Sequence, residues 1–174
     1  VTKPVVKPTQ KTPSEILAMA NEMMVTVEAL DAKKKVIGKA VGFYVRGDMA
    51  VVRFSGLEGA KSWRARAKGQ TLDVRCFVGQ SEQLAIAVLK LDRAGLNAIR
   101  VNRANLAKSA TIFVPGSSST PLRSYTKSQI ISVQILDRIG FYEASHVKPR
   151  GCLPGFDLQG NLCAIVCGHI EDMN

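Results

Sequence analysis

The side chains best suited to chemistry lie in the last third of the chain, where three cysteines accompany the two histidines. These residues are Cys152, Cys163, Cys167, His146 and His169. A thiolate whose proton is taken by a nearby imidazole is a nucleophile, so Cys152 could work with either histidine as its base. Imidazole and thiolate also suit transition metals, and His146, His169 and Cys167 are therefore candidate metal ligands.

The spacing of the cysteines does not match a zinc site or a disulfide framework. No CxxC pair occurs, and 4 cysteines are few for a disulfide-stabilised chain of 174 residues. Cys163 and Cys167 are four residues apart, so on one strand they share a face but lie too far apart to bond each other. The ordinary role of such cysteines is that of small buried apolar side chains, and the ordinary role of the histidines is that of polar residues.

The composition is that of a globular domain with a basic surface. Apolar residues make up 46% of the chain and charged residues 22%, which allows a substantial core and excludes disorder. The formal net charge of +10 suggests an acidic partner, a negatively charged surface or simple solubility. Nucleic-acid binding is disfavoured, because Arg64 and Arg66 lie on the opposite strand face from Trp63, the aromatic ring that would stack on bases. No apolar run reaches the roughly 18 residues of a membrane span.

The first part of the chain predicts a tether followed by a short helix. Lysines and prolines are interspersed through residues 1–13, and this composition disfavours both helix and strand, so we expect a flexible Lys/Pro-rich tail. Ser14 or Thr12 can cap a helix that has Pro13 in its first turn. The helix is expected to end near Met24.

After the helix the apolar period changes to two, which predicts a series of short antiparallel strands. Turn residues at 31–33, 47–48 and 68–70 separate the early strands. About six strands at this spacing indicate a closed barrel or a sandwich, because long open edges would aggregate. A polar stretch at 92–105 leads to a second set, which ends in a hairpin whose turn is 158–161. The predicted strands are VTVEAL, KVIGKAVGFYV, MAVVRF, SWRARAK, TLDVRCFVG and LAIAVLKL, then ATIFVPG, SQIISVQILDR and the returning strand 162–166.

Three segments resemble, in the correct order, the protease domain of the HtrA/Deg family of trypsin-like serine proteases. GKAVGFYVRGDMAVVRFSGLEGA, residues 38–60, is similar to the family's Gly-Ser-Gly-Val-Ile strand and Thr-Asn-x-His-Val-Val-x-Gly-Ala segment. RARAKGQTLDVRCFVGQSEQLAIAVLKLD, residues 64–92, is similar to the next hairpin and the Asp-Leu-Ala-Leu-Leu-Lys-Val-Asp strand. PRGCLPGFDLQGNLCAIVCG, residues 149–168, is similar to the Gly-Asn-Ser-Gly-Gly-Pro segment and the hairpin after it.

The resemblance implies an all-β fold of the chymotrypsin/trypsin type, with two six-stranded β-barrels and the short N-terminal helix. The active site of a working family member lies between the barrels. Residues 14–104 would hold the helix and the first barrel, and residues 105–174 the second barrel. That barrel is expected to be truncated or completed in another way, because the family supplies a further strand and a helix after the position of Gly168 and His169.

The same alignment removes the catalytic triad. Ser55 falls at the position of the general-base histidine, Ala85 at that of the aspartate and Gly151 at that of the nucleophile. A triad needs a hydroxyl nucleophile, an imidazole that takes its proton and a carboxylate that orients the imidazole. Loss of the nucleophile or the base alone costs about a millionfold in turnover in subtilisin. The chain is therefore expected to be a pseudoprotease without enzymatic activity.

The loop before the nucleophile position also departs from the family. The oxyanion hole uses backbone N–H groups of the nucleophile and of the residue before it. Pro149 has no N–H group, and Arg150 adds a long charged side chain to the cleft. We expect a reshaped cleft that binds a protein or peptide by β-augmentation and needs no cofactor. The residues predicted to bind this partner are Pro149, Arg150, Gly151, Cys152, Gly168 and His169.

Two alternatives remain open: a transition-metal-binding module on the same fold, and a protease with a rearranged site at Cys152. The second is weakened by Leu153 and Pro154, which replace the small residues that follow a catalytic cysteine. It is also weakened by the location of both histidines in the second barrel, because the family takes its base from the first. The resemblance further implies an extracytoplasmic location, homotrimers and, in many members, a PDZ domain after the protease domain.

Overall fold

The computed structural model describes residues 9–82, 84–93, 100–116, 121–136, 139–147 and 152–167. Within these ranges the chain forms one helix and eleven strands, arranged as a closed barrel and a second, curled sheet. None of the described helical structure has the length and apolarity to cross a membrane. The elements are α1 (Pro13–Met23), β1 (Met24–Leu30), β2 (Val36–Arg46), β3 (Met49–Arg53), β4 (Ser62–Ala67), β5 (Gln70–Ser81), β6 (Ile86–Leu91), β7 (Thr111–Pro115), β8 (Tyr125–Leu136), β9 (Ile139–Ala144), β10 (Leu153–Phe156) and β11 (Leu162–Val166).

Helix α1 begins with a capping box. The Thr12 hydroxyl accepts a hydrogen bond from the Glu15 backbone N–H at 3.3 Å, and the Glu15 carboxylate accepts one from the Thr12 backbone N–H at 2.7 Å. Two of the backbone donors that lack a partner at a helix start are satisfied in this way. Of the two caps that the sequence allowed, Thr12 is the one used, and Pro13 occupies the first turn as predicted.

Helix α1 packs against the second sheet. Its buried side chains Ile16, Ala20 and Met23 belong to the same apolar cluster as residues of β7 and β10. Asn21 fastens the contact, because its side chain donates to the Leu122 carbonyl at 3.0 Å and accepts from the Leu122 N–H at 2.6 Å. The division of the chain at residues 104 and 105 stays a prediction.

The first barrel has six strands in the order β1-β2-β3-β6-β5-β4, and the pairing of β1 with β4 closes it. All six were predicted from the period-two pattern, with their turns. Alanines alternate with larger side chains in the interior, which lets residues from opposite walls of a narrow barrel interdigitate. The buried interior contains Val25, Val27, Ala29, Ala40, Tyr44, Ala50, Val52, Leu57, Ala65, Ala67, Leu72, Ala87, Leu89 and Leu91.

The second sheet has five strands in the described residues, in the order β11-β10-β7-β8-β9. Strands β7, β8, β10 and β11 were predicted, although β8 begins at Tyr125, earlier than expected. Strand β9 was missed because the predicted strand before it was extended through Arg138. The outer strands of this sheet are β9 and β11. We call the gap between these two strands the seam.

The β10–β11 hairpin is organised by one buried aspartate in its turn. The Asp157 side chain accepts hydrogen bonds from the backbone N–H groups of Gln159 at 2.9 Å and Asn161 at 2.8 Å. It also accepts from the side-chain amides of Asn161 and Asn102. Gly160 has a φ of +78°, which suits glycine, and the turn spans the predicted residues. This turn sets the register of the hairpin that lies between Cys152 and Cys167.

Candidate functional site

Ser55 and Ala85, which the sequence resemblance places at the base and acid positions of a triad, are neighbours in the structure. Ser55 follows β3 and is exposed, and Ala85 precedes β6 with a φ of +49°. The backbone N–H of Phe54 donates to the Ala85 carbonyl at 2.8 Å, which holds the two loops together. The geometry therefore brings together the two positions that the alignment paired, and their side chains are a hydroxymethyl and a methyl group.

An aromatic cluster supports the loop that carries Ser55. The rings of Trp63 and Phe77 meet edge to face with centroids 4.7 Å apart, and Phe54 contacts Phe77 in the same manner at 6.1 Å. The Trp63 indole N–H donates to the Leu57 carbonyl at 3.3 Å. Edge-to-face aromatic pairs stabilise a fold by more than the burial of their apolar surface alone. The cluster therefore fixes the loop at the end of the barrel.

Cys152 lies beside Cys167 at the base of the β10–β11 hairpin. Their Sγ atoms are 3.8 Å apart, and both thiols are free. Cys152 is fully buried and Cys167 is half-buried. The hydrogen bond to Cys167, reinforced by burial, raises the pKa of Cys152. The hydrogen bond from Cys152 lowers the pKa of Cys167 against the opposing effect of burial.

Arg53 is a component of this region that sequence reasoning missed. It ends β3, two residues before Ser55, and its positive charge adds to the lowering of the pKa of Cys167. Its Nε atom is buried and has no hydrogen-bond partner within the described ranges. Every second residue of β3 faces the same side of the sheet. That alternation alone does not indicate that two thiols lie on the side that Arg53 faces.

Cys163 is separate from this pair and has a structural role. Its thiol donates a hydrogen bond to the Gly155 carbonyl at 3.4 Å. Burial, helped by the nearby negative charge of Asp157, raises the pKa of Cys163 to about 12. A thiol with such a pKa stays protonated at neutral pH and is a poor nucleophile.

The described residues do not assemble a metal site. They contain no group of three or more His, Cys, Asp or Glu side chains close enough to share an ion. His146 is exposed just after β9, with a φ of +58°. His169 lies outside the described residues, and the set of His146, His169 and Cys167 stays a prediction. The predicted binding residues Pro149, Arg150, Gly151 and Gly168 likewise lie outside the described ranges.

On the basic strand face, partly exposed cations surround one buried carboxylate. Arg64 donates to the carboxylate of Glu28 at 2.6 Å, Arg66 donates at 3.3 Å, and the Lys39 ammonium lies 3.3 Å away. Burial raises the pKa of Glu28, but the hydrogen bonds from Arg64, Lys39 and Arg66 outweigh it and lower the pKa to about 2. Arg64 and Arg66 are thus engaged with a carboxylate on the wall of the first barrel.

A cavity of about 570 Å³ lies at the seam and is bounded by both halves of the molecule. This seam cavity is predominantly apolar, and it includes Cys167 in its wall. Two of its residues, Val101 and Ile165, are large apolar side chains that remain about half exposed. Other lining residues are Val51, Ile86 and Val88 from the first barrel, and Tyr142 and Ala144 from β9.

Among the described residues, the edge of β11 at the seam is covered only at its start. The Leu162 N–H donates to the Arg100 carbonyl at 2.9 Å, and the Leu162 carbonyl accepts from the Asn102 N–H at 2.9 Å. In the part of the chain that the structure describes, the remainder of β11 pairs with β10 alone and β9 pairs with β8 alone. Within the described ranges, the seam therefore has two strand edges beside an apolar cavity.

No protein-family profile matches the chain, and no curated protein matches it. Solved structures do match. The active form of the Rv3671c protease from M. tuberculosis has a TM-score of 0.63 and 16% identity, over 99% of this chain and 83% of that chain. The inactive form gives a TM-score of 0.65 and 13% identity, over 94% and 88%. A serine endoprotease from Yersinia pestis gives a TM-score of 0.65 and 16% identity, over 90% of this chain and 57% of that chain.

These matches define the class of structure. The chain has the trypsin-like serine protease fold, in which a closed six-stranded barrel packs against a second β-rich half. The fold implied by the three sequence segments is thereby confirmed.

Proposed function

We propose that this chain is a catalytically inactive trypsin-like pseudoprotease that binds an extended apolar segment of a protein partner at the seam. The seam cavity and its two strand edges are the observation that carries the binding part of the proposal. A segment that adds as a strand would hydrogen-bond to an edge and place alternate side chains in the cavity. The apolar walls favour valine, isoleucine or leucine at those alternate positions.

The loss of activity is supported by the residues at the triad positions. Ser55 cannot take a proton at neutral pH as an imidazole does, and Ala85 has no carboxylate. Gly151 has no side chain to act as the nucleophile. Cys152 is a poor substitute, because burial and the hydrogen bond to Cys167 raise its pKa. A catalytic cysteine instead needs a lowered pKa and an adjacent base.

The binding claim is tested with labelled peptides that alternate apolar and polar residues, measured by fluorescence polarisation. Ile165→Asp should weaken binding by tenfold or more, because burying one isoleucine contributes about 1.5 to 3 kcal/mol. Ile135→Asp is the matched control: Ile165 is 43% exposed at the seam, and Ile135 is 58% exposed on β8. The control should bind with unchanged affinity. Failure of all such peptides to bind the wild type, or equal losses in the two variants, would overturn the proposal.

An extracytoplasmic location and self-association as a trimer form a further part of the proposal and rest on the family resemblance. Cell fractionation tests the location, and sedimentation equilibrium of the purified chain tests the oligomeric state. A protein found in the cytosol, or one that sediments as a monomer at every concentration, would contradict the corresponding part.

A further inference from the structure

Cys152 and Cys167 occupy opposite positions at the open end of the β10–β11 hairpin. Cys152 immediately precedes β10, and Cys167 immediately follows β11. Leu153 pairs with Val166, so one further step of the antiparallel register sets the cysteines opposite each other. Opposed residues of such a ladder have Cα atoms about 4.5 to 5.5 Å apart, within the range of about 4.4 to 6.8 Å found in disulfides. A regular continuation of this ladder thus gives the two cysteines the backbone spacing of a cross-strand disulfide.

The two thiols differ in the access that they give to a reagent. Cys152 is fully buried, whereas Cys167 is half-buried and forms part of the wall of the seam cavity. A small molecule that enters the cavity therefore meets Cys167 first. Cys152 lies behind it, with its Sγ atom 3.8 Å from that of Cys167.

The charges around the pair favour the same order of reaction. The thiolate is the attacking species in thiol–disulfide exchange. The hydrogen bond from Cys152 and the positive charge of Arg53 lower the pKa of Cys167, and burial opposes them. Arg53 also has a buried Nε atom that finds no hydrogen-bond acceptor among the described residues. Cys167 is accordingly the attacking thiol and Cys152 the resolving one.

We propose that Cys152 and Cys167 form a reversible dithiol–disulfide pair that is oxidised by small-molecule disulfides such as oxidised glutathione. The Cys167 thiolate attacks one sulfur of the small disulfide, which gives a mixed disulfide and one small thiolate. That thiolate takes the proton of Cys152. Cys152 then attacks the Cys167 sulfur and displaces the second small thiolate, which is protonated from solvent. One small disulfide is reduced to two thiols, and two protein thiols become one disulfide. This inference does not depend on peptide binding at the seam.

The test equilibrates the purified chain with a series of ratios of reduced to oxidised glutathione, followed by acid quenching, alkylation and mass spectrometry. The intact mass should fall by two hydrogen atoms at oxidising ratios, and digestion should give one cross-linked peptide pair that joins Cys152 to Cys167. Cys152→Ser should stop at a glutathione adduct on Cys167. Cys76→Ser and Cys163→Ser are matched controls that should leave the cross-link unchanged.

The role of Arg53 is tested in the Cys152→Ser background, where adduct formation on Cys167 can be timed. Arg53→Gln should slow this reaction, because the thiolate fraction of Cys167 falls and the greater nucleophilicity of the thiolate that remains offsets this fall only in part. An unchanged rate would remove Arg53 from the mechanism. Circular dichroism of each variant detects a folding defect, and the wild-type result decides the proposal without any variant. Cys152 and Cys167 that stay reduced at every ratio while the exposed Cys76 forms an adduct, or a disulfide between other cysteines, would overturn it.

Discussion

At the scale of single residues, Glu28 illustrates how a buried charge is tolerated in this fold. Its side chain is 5% exposed and contacts three cations on neighbouring strands of the first barrel. A buried carboxylate that loses its partners is costly, because its desolvation is no longer compensated. The three cations are themselves partly exposed, which moderates the strength of each contact.

Glu28→Gln should lower the free energy of unfolding at neutral pH by about 2 kcal/mol, because it removes charge-assisted hydrogen bonds. The pKa of Glu28 is about 2 in the folded chain against an ordinary value of 4.5. Between these values the unfolded state binds more protons, so the stabilisation is complete above pH 4.5 and is lost as the pH falls through about 2. The difference between wild type and variant in urea denaturation should therefore shrink over that range.

Glu22→Gln is the matched control for this experiment. Glu22 pairs with Lys68, but the Glu22 side chain is 62% exposed. Such surface pairs contribute about 0 to 1 kcal/mol, so the control should unfold close to the wild type. A Glu28→Gln variant that behaves like the control at every pH would contradict the stabilising role of the cluster.

At the scale of elements, the β10–β11 hairpin depends on its turn for register. Asp157→Ala should destabilise the chain by about 2 to 4 kcal/mol, because it leaves several buried donors without an acceptor. Gln159→Ala is the control in the same turn. Gln159 contacts Asp157 through its backbone N–H, which the substitution keeps, so it should cost under about 0.5 kcal/mol. Thermal unfolding of both variants measures the difference. Equal effects would show that the turn does not depend on the aspartate.

The loop that carries Ser55 is held by a close approach between two backbones. A Cβ atom on Gly38 would overlap the carbonyl oxygen of Gly56. Gly38→Ala should therefore cost about 1 to 3 kcal/mol by overpacking. An added Cβ on Gly79 meets nothing within 4 Å, so Gly79→Ala is a matched control that should be neutral or slightly stabilising. Chemical denaturation checks both, and a neutral Gly38→Ala would contradict the close approach.

Most elements could be predicted because their signals are local. Apolar residues at period two and turn residues such as Gly69 and Gly160 are visible in the sequence, and they gave the six strands of the first barrel and the last hairpin. Strand β9 was missed because only Asp137 and Arg138 separate it from β8 in the sequence, and neither is a glycine that would mark a hairpin turn. The pattern therefore extends the preceding strand through Asp137 and Arg138 and predicts no hairpin after them.

Contacts that depend on register between distant segments could not be predicted in the same way. The sequence places Cys152 and Cys167 near the two ends of a hairpin, but the irregular register between Gly155 and Phe156 decides which residues face each other. The proximity of Arg53 to this pair requires the packing of the first barrel on the second sheet. No local pattern contains that information.

At the scale of the whole molecule, two apolar cores hold the trypsin-like fold together. One apolar core fills the first barrel, and another joins the helix, the outside of that barrel and the second sheet. Neither core includes Ser55 or Ala85 among its described residues. The packing of the fold is therefore separable from the side chains at these two positions, which is the physical basis for proposing a binding function.

The central claim is the loss of protease activity, and the most direct measurement is prolonged incubation of the purified chain with a broad peptide library. Mass spectrometry would identify any cleavage products, and trypsin would serve as the positive control. The proposed pseudoprotease should give no product above the enzyme-free blank, and Cys152→Ala should be indistinguishable from wild type. Reproducible cleavage by the wild type that disappears in Cys152→Ala would contradict the claim and establish a cysteine protease instead.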